Sequence, residues 1–384
     1  MNTKNLLVRW LQAAVIGLLL MGLVAGGVVL GLRLDRQYGL RALDKKFEAM
    51  AVPVAVEQSA AAAPDFRAAA QKVIPSVVSI DKYEEVWSFF RTEPGIQQTG
   101  SGSGVIVSDD GYILTNNHVI EGAAQVLVHL NDGRVAQAKV VGADPYADLA
   151  LLQVRERNLK PIELGTSKGL QVGQWVMAVG SPLGYDSTVS VGVVSSLGRT
   201  LPSQRGSILV DAIQTDAAIN QGNSGGALTD AQGRLVGINT AIASIGGGSI
   251  GIGFAIPVDR AQRVVRDITK YGRSRYGTMG VVVDSRPGLL RRDTVRRQLS
   301  EQLGAEPPAD GLLIREVIAG SVADKGGIRP FDIILDVNGR KIKDSLDFAT
   351  FQLDSAPGDA ATVKFWSRGQ TKSVQVRLED RYAR

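Results

Sequence analysis

Gly222-Asn223-Ser224-Gly225-Gly226 sets a serine among glycines directly ahead of the apolar pair Ala227-Leu228. Alone, such a segment reads equally well as a flexible turn. Its weight comes from two stretches upstream. Thr115-Asn116-Asn117-His118-Val119 stands at the end of an apolar strand, and Asp148-Leu149-Ala150 opens another. Taken singly, His118 is an ordinary core histidine and Asp148 a turn carboxylate. Taken together they supply a complete chemistry. A serine hydroxyl is a poor nucleophile at neutral pH and needs an adjacent general base. Histidine can take up and return that proton near neutrality. A carboxylate holds the imidazole's tautomer and stabilises the imidazolium. Glycines around the serine allow the tight backbone that aims N–H groups at an oxyanion. The order His, Asp, Ser along the chain is one of the known orders for this triad.

Outward from these marks, the region from Pro75 to Pro257 reads as short strands separated by turn signals. Ser76 to Asp81 is one strand. Val105 to Ser108 and Tyr112 to Thr115 flank Asp109-Asp110-Gly111, and Val126 to Leu130 runs into Asn131-Asp132-Gly133. Leu149 to Val154, Trp175 to Val179, Val189 to Leu197, Arg234 to Asn239 and Ile252 to Ile256 follow. Such spacing predicts a mainly β barrel or sandwich. The 44 glycines agree, because glycine is costly inside helices. The chain has no cysteine and two histidines, His118 and His129. That excludes a thiol nucleophile, disulfides and thiolate metal sites. His129 lies inside a strand and reads as structural. No cofactor or metal is expected.

From about Ser76 to Val258 the chain resembles the protease domain of the Deg/HtrA family of chymotrypsin-like serine endopeptidases. The resemblance rests on Gly100-Ser101-Gly102-Ser103-Gly104-Val105, the His118 and Asp148 motifs, and the run from Gln214 through Gly222-Asn223-Ser224 to Leu228. It implies a chymotrypsin-like double β-barrel over residues 65–258, with catalytic His118, Asp148 and Ser224 in the cleft. It also implies an oxyanion hole from the N–H groups of Gly222, Asn223 and Ser224. The family cuts after small or medium aliphatic residues in unfolded proteins. Ile219 and Ile238 to Ala243 are compatible with such a pocket, or with plain barrel core. Leu183 stands where the family often has an aromatic residue. Arg199 matches a family arginine in a loop that links the C-terminal domain to the active site, so a regulatory role is expected of it.

Residues 259–276 read as a connecting helix, with Ala261, Val264, Val265 and Ile268 at helical spacing. Residues 277–379 resemble one PDZ domain, through Gly320-Ser321-Val322-Ala323, Gly327-Ile328-Arg329-Pro330-Phe331-Asp332 and Val337-Asn338-Gly339. Phe331 replaces the usual glycine. Thr278-Met279-Gly280-Val281 falls where the carboxylate-binding loop belongs, which implies capture of peptide C-termini by β-augmentation; an ordinary glycine turn is the other reading. Arg291 to Gln298 is an arginine-rich insertion, read as a solvated helix.

Residues 1–10 form a tail, and residues 11–32 carry no charge. That length suits a transmembrane signal anchor, with cleavage near Ala25 as the alternative. Residues 33–64 read as a linker and 380–384 as a tail. Arg33, Arg36, Arg41, Lys45 and Lys46 follow the apolar run, and counted alone they would put the catalytic part in the cytoplasm. The layout of one anchor, one protease domain and one PDZ domain resembles the DegS-like branch. It implies instead a single-pass protein of the inner membrane facing the periplasm, a homotrimer, and activation by C-terminal peptides in an envelope stress response. A general quality-control protease and a non-catalytic peptide-binding chaperone are the alternatives. The net charge of +5 is not tied to any nucleic-acid-binding motif, so no nucleic acid is expected.

Overall fold

A computed structural model describes residues 64–86, 95–181, 187–202, 208–220, 222–242 and 250–381. The expected anchor, the linker before Pro64 and Leu183 lie outside these, as do Trp87, Phe89 and Phe90, which the sequence offers as contributors to a trimer contact or as part of a mobile loop. Among the described residues no helix is long and apolar enough to cross a membrane.

A short helix α1 (Arg67–Val73) leads through a 3₁₀ turn at Ile74–Ser76 into β1 (Val77–Val86). Then come β2 (Gly95–Ile106), β3 (Tyr112–Thr115), helix α2 (Asn117–Ile120), β4 (Gln125–His129), β5 (Val135–Asp144) and β6 (Leu149–Gln153). These strands close an antiparallel barrel in the order β1-β2-β3-β6-β5-β4. A second barrel follows from β7 (Trp175–Gly180), β8 (Thr188–Pro202), β9 (Ile208–Thr215), β10 (Ala227–Asp230), β11 (Leu235–Ile242) and β12 (Gly253–Pro257), in the order β10-β11-β12-β9-β8-β7. β1 therefore starts later and runs further than expected. Pro75 belongs to the 3₁₀ turn, and Lys82 to Glu85 pair with β2 although no apolar alternation marks them.

Three cores hold this arrangement, and successive residues of one strand feed different ones. Val78 and Ile80 point into the first barrel, while Val77 joins the layer between the barrels. In β7, Val176 and Ala178 fill the second barrel, and Met177 and Val179 face its neighbour. A strand buried on both faces reads as an unbroken apolar run. Helix α3 (Val258–Tyr271) lays Ala261, Val264 and Ile268 onto the same inter-barrel layer, and Gly272 ends it with φ 74°.

Asp259 ties the start of α3 back to the second barrel. Its carboxylate accepts the backbone N–H groups of Ser167 and Lys168 and the hydroxyls of Ser167 and Thr166. Burial pushes this carboxyl up, but those hydrogen bonds outweigh it, and the net position is below the usual carboxylate range. A lowered folded value means that Asp259 stabilises the fold at neutral pH and that this stability is lost as the pH falls through the lowered value. Asp259→Asn is therefore expected to reduce the acid-side drop in melting temperature, measured by thermal scans between about pH 7 and pH 3.

The C-terminal domain begins with β13 (Gly277–Thr278), paired with β20 (Glu379–Asp380). Its main sheet comprises β14 (Val281–Val283), β15 (Leu312–Val317), β16 (Ile333–Val337), β17 (Arg340–Lys341), β18 (Ala360–Ser367) and β19 (Gln370–Arg377), with β14 at one edge. Helices α4 (Asp293–Leu303), α5 (Val322–Lys325) and α6 (Ser345–Asp354) complete it. The arginine-rich insertion is not merely solvated. Leu289, Leu290 and Leu299 pack on Leu313, Ile333 and Trp366 and cover one face of the sheet, leaving Arg291, Arg292 and Arg297 outside. Phe331 takes φ 70°, a left-handed conformation that costs a side chain about 1–2 kcal/mol.

The protease barrels and this domain belong to one unit, Pro64–Arg384. Arg260 donates to the Leu353 carbonyl and the Asp354 carboxylate, at 3.3 and 2.7 Å, and Arg263 to the Ser355 carbonyl at 2.6 Å. The buried Tyr276 hydroxyl donates to Asp144. Burial, then the Asp144 charge, push that phenol well above its ordinary range and keep it a donor.

Candidate active site

His118 is not at a strand end but on α2, a single turn that follows β3. Asp148 immediately precedes β6, which pairs with β3, so Thr115 faces Ala150 and the two motifs are brought together. Asp148 has φ 53°, a left-handed conformation that aspartate tolerates better than most residues. Its backbone carbonyl accepts Asn116 Nδ2–H at 2.9 Å, and its carboxylate accepts the His118 backbone N–H at 3.1 Å.

The His118 imidazole meets that carboxylate through Nδ1, 2.8 Å from Oδ2 and 3.0 Å from Oδ1. A carboxylate partner assigns the proton to Nδ1 and leaves Nε2 as the basic nitrogen. Asp148 Oδ2 also accepts the Thr240 hydroxyl at 2.7 Å. Asp148 is 8% exposed, so these donors replace much of the water that a free carboxylate would keep.

Ser224 arrives from the second barrel, at the turn before β10. Its hydroxyl donates to the Thr240 carbonyl at 3.1 Å. Thr240 thus touches Asp148 with its side chain and Ser224 with its backbone. Sequence reasoning gave Thr240 no role of its own: it falls within Ile238 to Ala243, read as pocket wall or barrel core, and lies in β11. Gly102 explains part of the glycine motif. A Cβ there would sit 2.7 Å from both Val119 methyls and 3.2 Å from the Ser224 carbonyl, so only glycine lets β2 run past the nucleophile.

The three expected oxyanion donors stand in different surroundings. Asn223 N–H closes a turn onto the Asn220 carbonyl at 3.0 Å. Among the described residues the N–H groups of Gly222 and Ser224 meet no protein acceptor, and Gly222 has φ 97°. Ile219 and Ile238, candidates for an apolar pocket, are core residues at 1% and 0% exposure. Arg199 lies in β8 opposite Ala212, exposed, with Nε on the Ser196 hydroxyl at 3.2 Å. No described contact joins it to the 216–222 loop. His129 sits away from the site in β4, its Nε2 2.9 Å from Asp81. Among the described residues no acidic or histidine cluster suits a metal ion.

In the C-terminal domain only part of the expected carboxylate loop is loop. Thr278 pairs with Glu379 and Val281 opens β14, because both backbones are taken up in strands. The Met279 side chain is buried in the domain core. Gly280 has φ 79°, and its N–H donates to the Thr278 hydroxyl at 3.2 Å. Among the described residues β14 pairs on one side only, with β15.

The sequence profile of the trypsin-like peptidase domain matches residues 102–238, and that of the PDZ domain matches 277–378. A probable periplasmic serine endoprotease, DegP-like, from Hahella chejuensis is 38% identical over 350 residues, covering 85% of this chain and 72% of its own. One from Pseudomonas putida is 42% identical over 275 residues, covering 72% of this chain; the chain spans 55% of that relative's length. Among solved structures, the HtrA-type protease AlgW with a decapeptide superimposes with a TM-score of 0.67 at 35% identity, over 83% of this chain and all of its own. The serine endoprotease from Yersinia pestis gives a TM-score of 0.60 at 31% identity, over 82% of this chain and 98% of its own.

Proposed function

This chain belongs to the Deg/HtrA family of serine endoproteases, and from that premise we propose that His118, Asp148 and Ser224 cleave peptide bonds in unfolded or regulatory proteins, under control of peptides captured by the PDZ domain. The observation that carries this is the shared carboxylate of Asp148, which holds His118 Nδ1 and, through Thr240, reaches the Ser224 hydroxyl. With Nδ1 engaged, His118 Nε2 takes the Ser224 proton as Oγ attacks the substrate carbonyl. The imidazolium is stabilised by Asp148 and passes its proton to the leaving amine. Water then repeats the sequence on the acyl-enzyme. The N–H groups of Gly222 and Ser224 receive the oxyanion of each tetrahedral intermediate.

The unpaired edge of β14 suits an added strand from a peptide, with Met279 and Gly280 at its head. AlgW was solved with a decapeptide, which favours peptide binding by this chain as well. Relatives described as periplasmic favour a catalytic part on that side of the membrane, and with it an envelope role. Membrane anchoring through residues 11–32 and a trimer belong to the same proposal. The test is cleavage of a fluorogenic peptide by the full chain in detergent, with and without peptides ending in hydrophobic residues. Activity raised about tenfold or more by such peptides, and not by C-terminally amidated copies, is expected if the free carboxylate is read. Equal activity in all three samples would leave a protease without PDZ control, which is the quality-control alternative.

A further inference from the structure

We propose that Ser103 is a positioning residue for the oxyanion donors, holding from the first barrel the peptide that links Gly222 to Asn223 in the second. This rests on the triad assignment above. Ser103 lies in β2, wholly buried, and all its polar groups are engaged. Its backbone N–H donates to the Ser224 carbonyl at 2.8 Å, and its carbonyl accepts the Thr115 hydroxyl at 2.7 Å. Its own hydroxyl accepts the Ser181 N–H at 2.8 Å and donates to the Gly222 carbonyl. A serine hydroxyl has one proton. With Ser181 occupying a lone pair, that proton is directed at Gly222.

The Gly222–Asn223 peptide is a rigid plane. Its carbonyl end is held by Ser103 and its N–H end by the Asn220 carbonyl. Two opposed hydrogen bonds lock the plane's orientation. The N–H groups on either side of it, Gly222 before and Ser224 after, are those without a protein acceptor. Glycine at 222 makes the lock necessary, since its φ and ψ are unusually free and its φ here is 97°. Without the Ser103 hydroxyl the plane keeps one anchor, and it can rotate so that the two donors no longer converge. The device costs the resting enzyme nothing in sequence signal: Ser103 reads as one more residue of a Gly-Ser run.

The experiment compares wild type, Ser103→Ala and Ser103→Cys in the full chain, with rates normalised to sites titrated by a fluorophosphonate, and Ser224→Ala per mole of protein. For Ser103→Ala, kcat is expected to fall about 10- to 100-fold, less than the about 10²–10³-fold loss on removing a donor outright. KM is expected to change less than about threefold. Affinity for a peptide aldehyde, which forms the tetrahedral adduct, should fall in step with kcat/KM, and the pH midpoint of kcat/KM should stay in place because the His118–Asp148 pair is untouched. Ser103→Cys, close in volume and a weaker donor, should fall between and guards against a folding defect in the alanine variant. A role in packing alone would lower the melting temperature and the titrated fraction but leave kcat per site and aldehyde affinity unchanged, and that result overturns the proposal. If wild type cleaves and Ser224→Ala does not while both Ser103 variants match wild type, the positioning role fails and the triad assignment survives. If wild type cleaves nothing with or without PDZ peptides, both fail.

Discussion

Ser224→Ala is expected to lower kcat by about six orders of magnitude and to leave substrate binding intact. In the proposed triad the Ser224 hydroxyl is the group that forms the acyl-enzyme, and the alanine lacks it. Little else should change, because Ser224 Oγ contributes one 3.1 Å hydrogen bond to the Thr240 carbonyl. That carbonyl belongs to Thr240, which is 7% exposed, so losing its donor carries a modest cost. The melting temperature should therefore fall by no more than a few degrees, since one lost hydrogen bond of this kind costs about 0.5–1.5 kcal/mol. Cleavage of unfolded casein, followed on a gel with the variant at high concentration, is the measurement. A variant that kept even one per cent of wild-type turnover would remove Ser224 from the chemistry.

The second large effect is expected at Asp148. Asp148→Asn keeps the shape but not the charge or the acceptor capacity. The carboxylate now takes three donors, the His118 Nδ1–H, the His118 backbone N–H and the Thr240 hydroxyl. An amide offers one oxygen for them and puts its NH₂ group against either the imidazole or the hydroxyl. Facing the imidazole, that NH₂ forces the proton onto Nε2, and the base that Ser224 needs is gone. A loss of about 10⁴ in kcat follows, near 5 kcal/mol of transition-state stabilisation. KM should barely move. A loss below about tenfold would mean that Asp148 serves the fold and not the reaction.

Much of this site was legible in the chain because its chemistry demands residue types that stand out. His118, Asp148 and Ser224 are each flagged by a motif, and β3 and β6 bring the first two together as a simple antiparallel pair. The barrels were legible from short apolar runs and turns such as Asn131-Asp132-Gly133, where Gly133 does take φ 87°. What was hidden falls into two kinds. Thr240 and Ser103 act through a hydroxyl inside strands whose pattern reports burial alone, and hydroxyls carry no periodicity of their own. Backbone donors are hidden for another reason: which N–H of Gly222-Asn223-Ser224 is free depends on the turn closed by Asn220, a matter of φ and ψ rather than side chain. The insertion at Arg291 misled in the opposite way. Its arginines dominate the composition, yet three leucines in and beside α4 decide where it packs.

The division of the proposed machinery between two barrels has a consequence for biosynthesis. His118 and Asp148 are complete once residue 153 has paired, but Ser224, in the turn before β10, and Thr240, in β11, are made about 70 and about 90 residues later. A half-finished polypeptide therefore owns a base with nothing to activate. The layer that docks the barrels, from Val77 and Leu151 to Met177 and Ile238, draws on both and so closes only after the second has been made. An agent that parts the barrels without melting either would disarm the molecule at once. By this division the proposed hydrolase is harmless to unfolded chains, its own siblings included, until its folding is done.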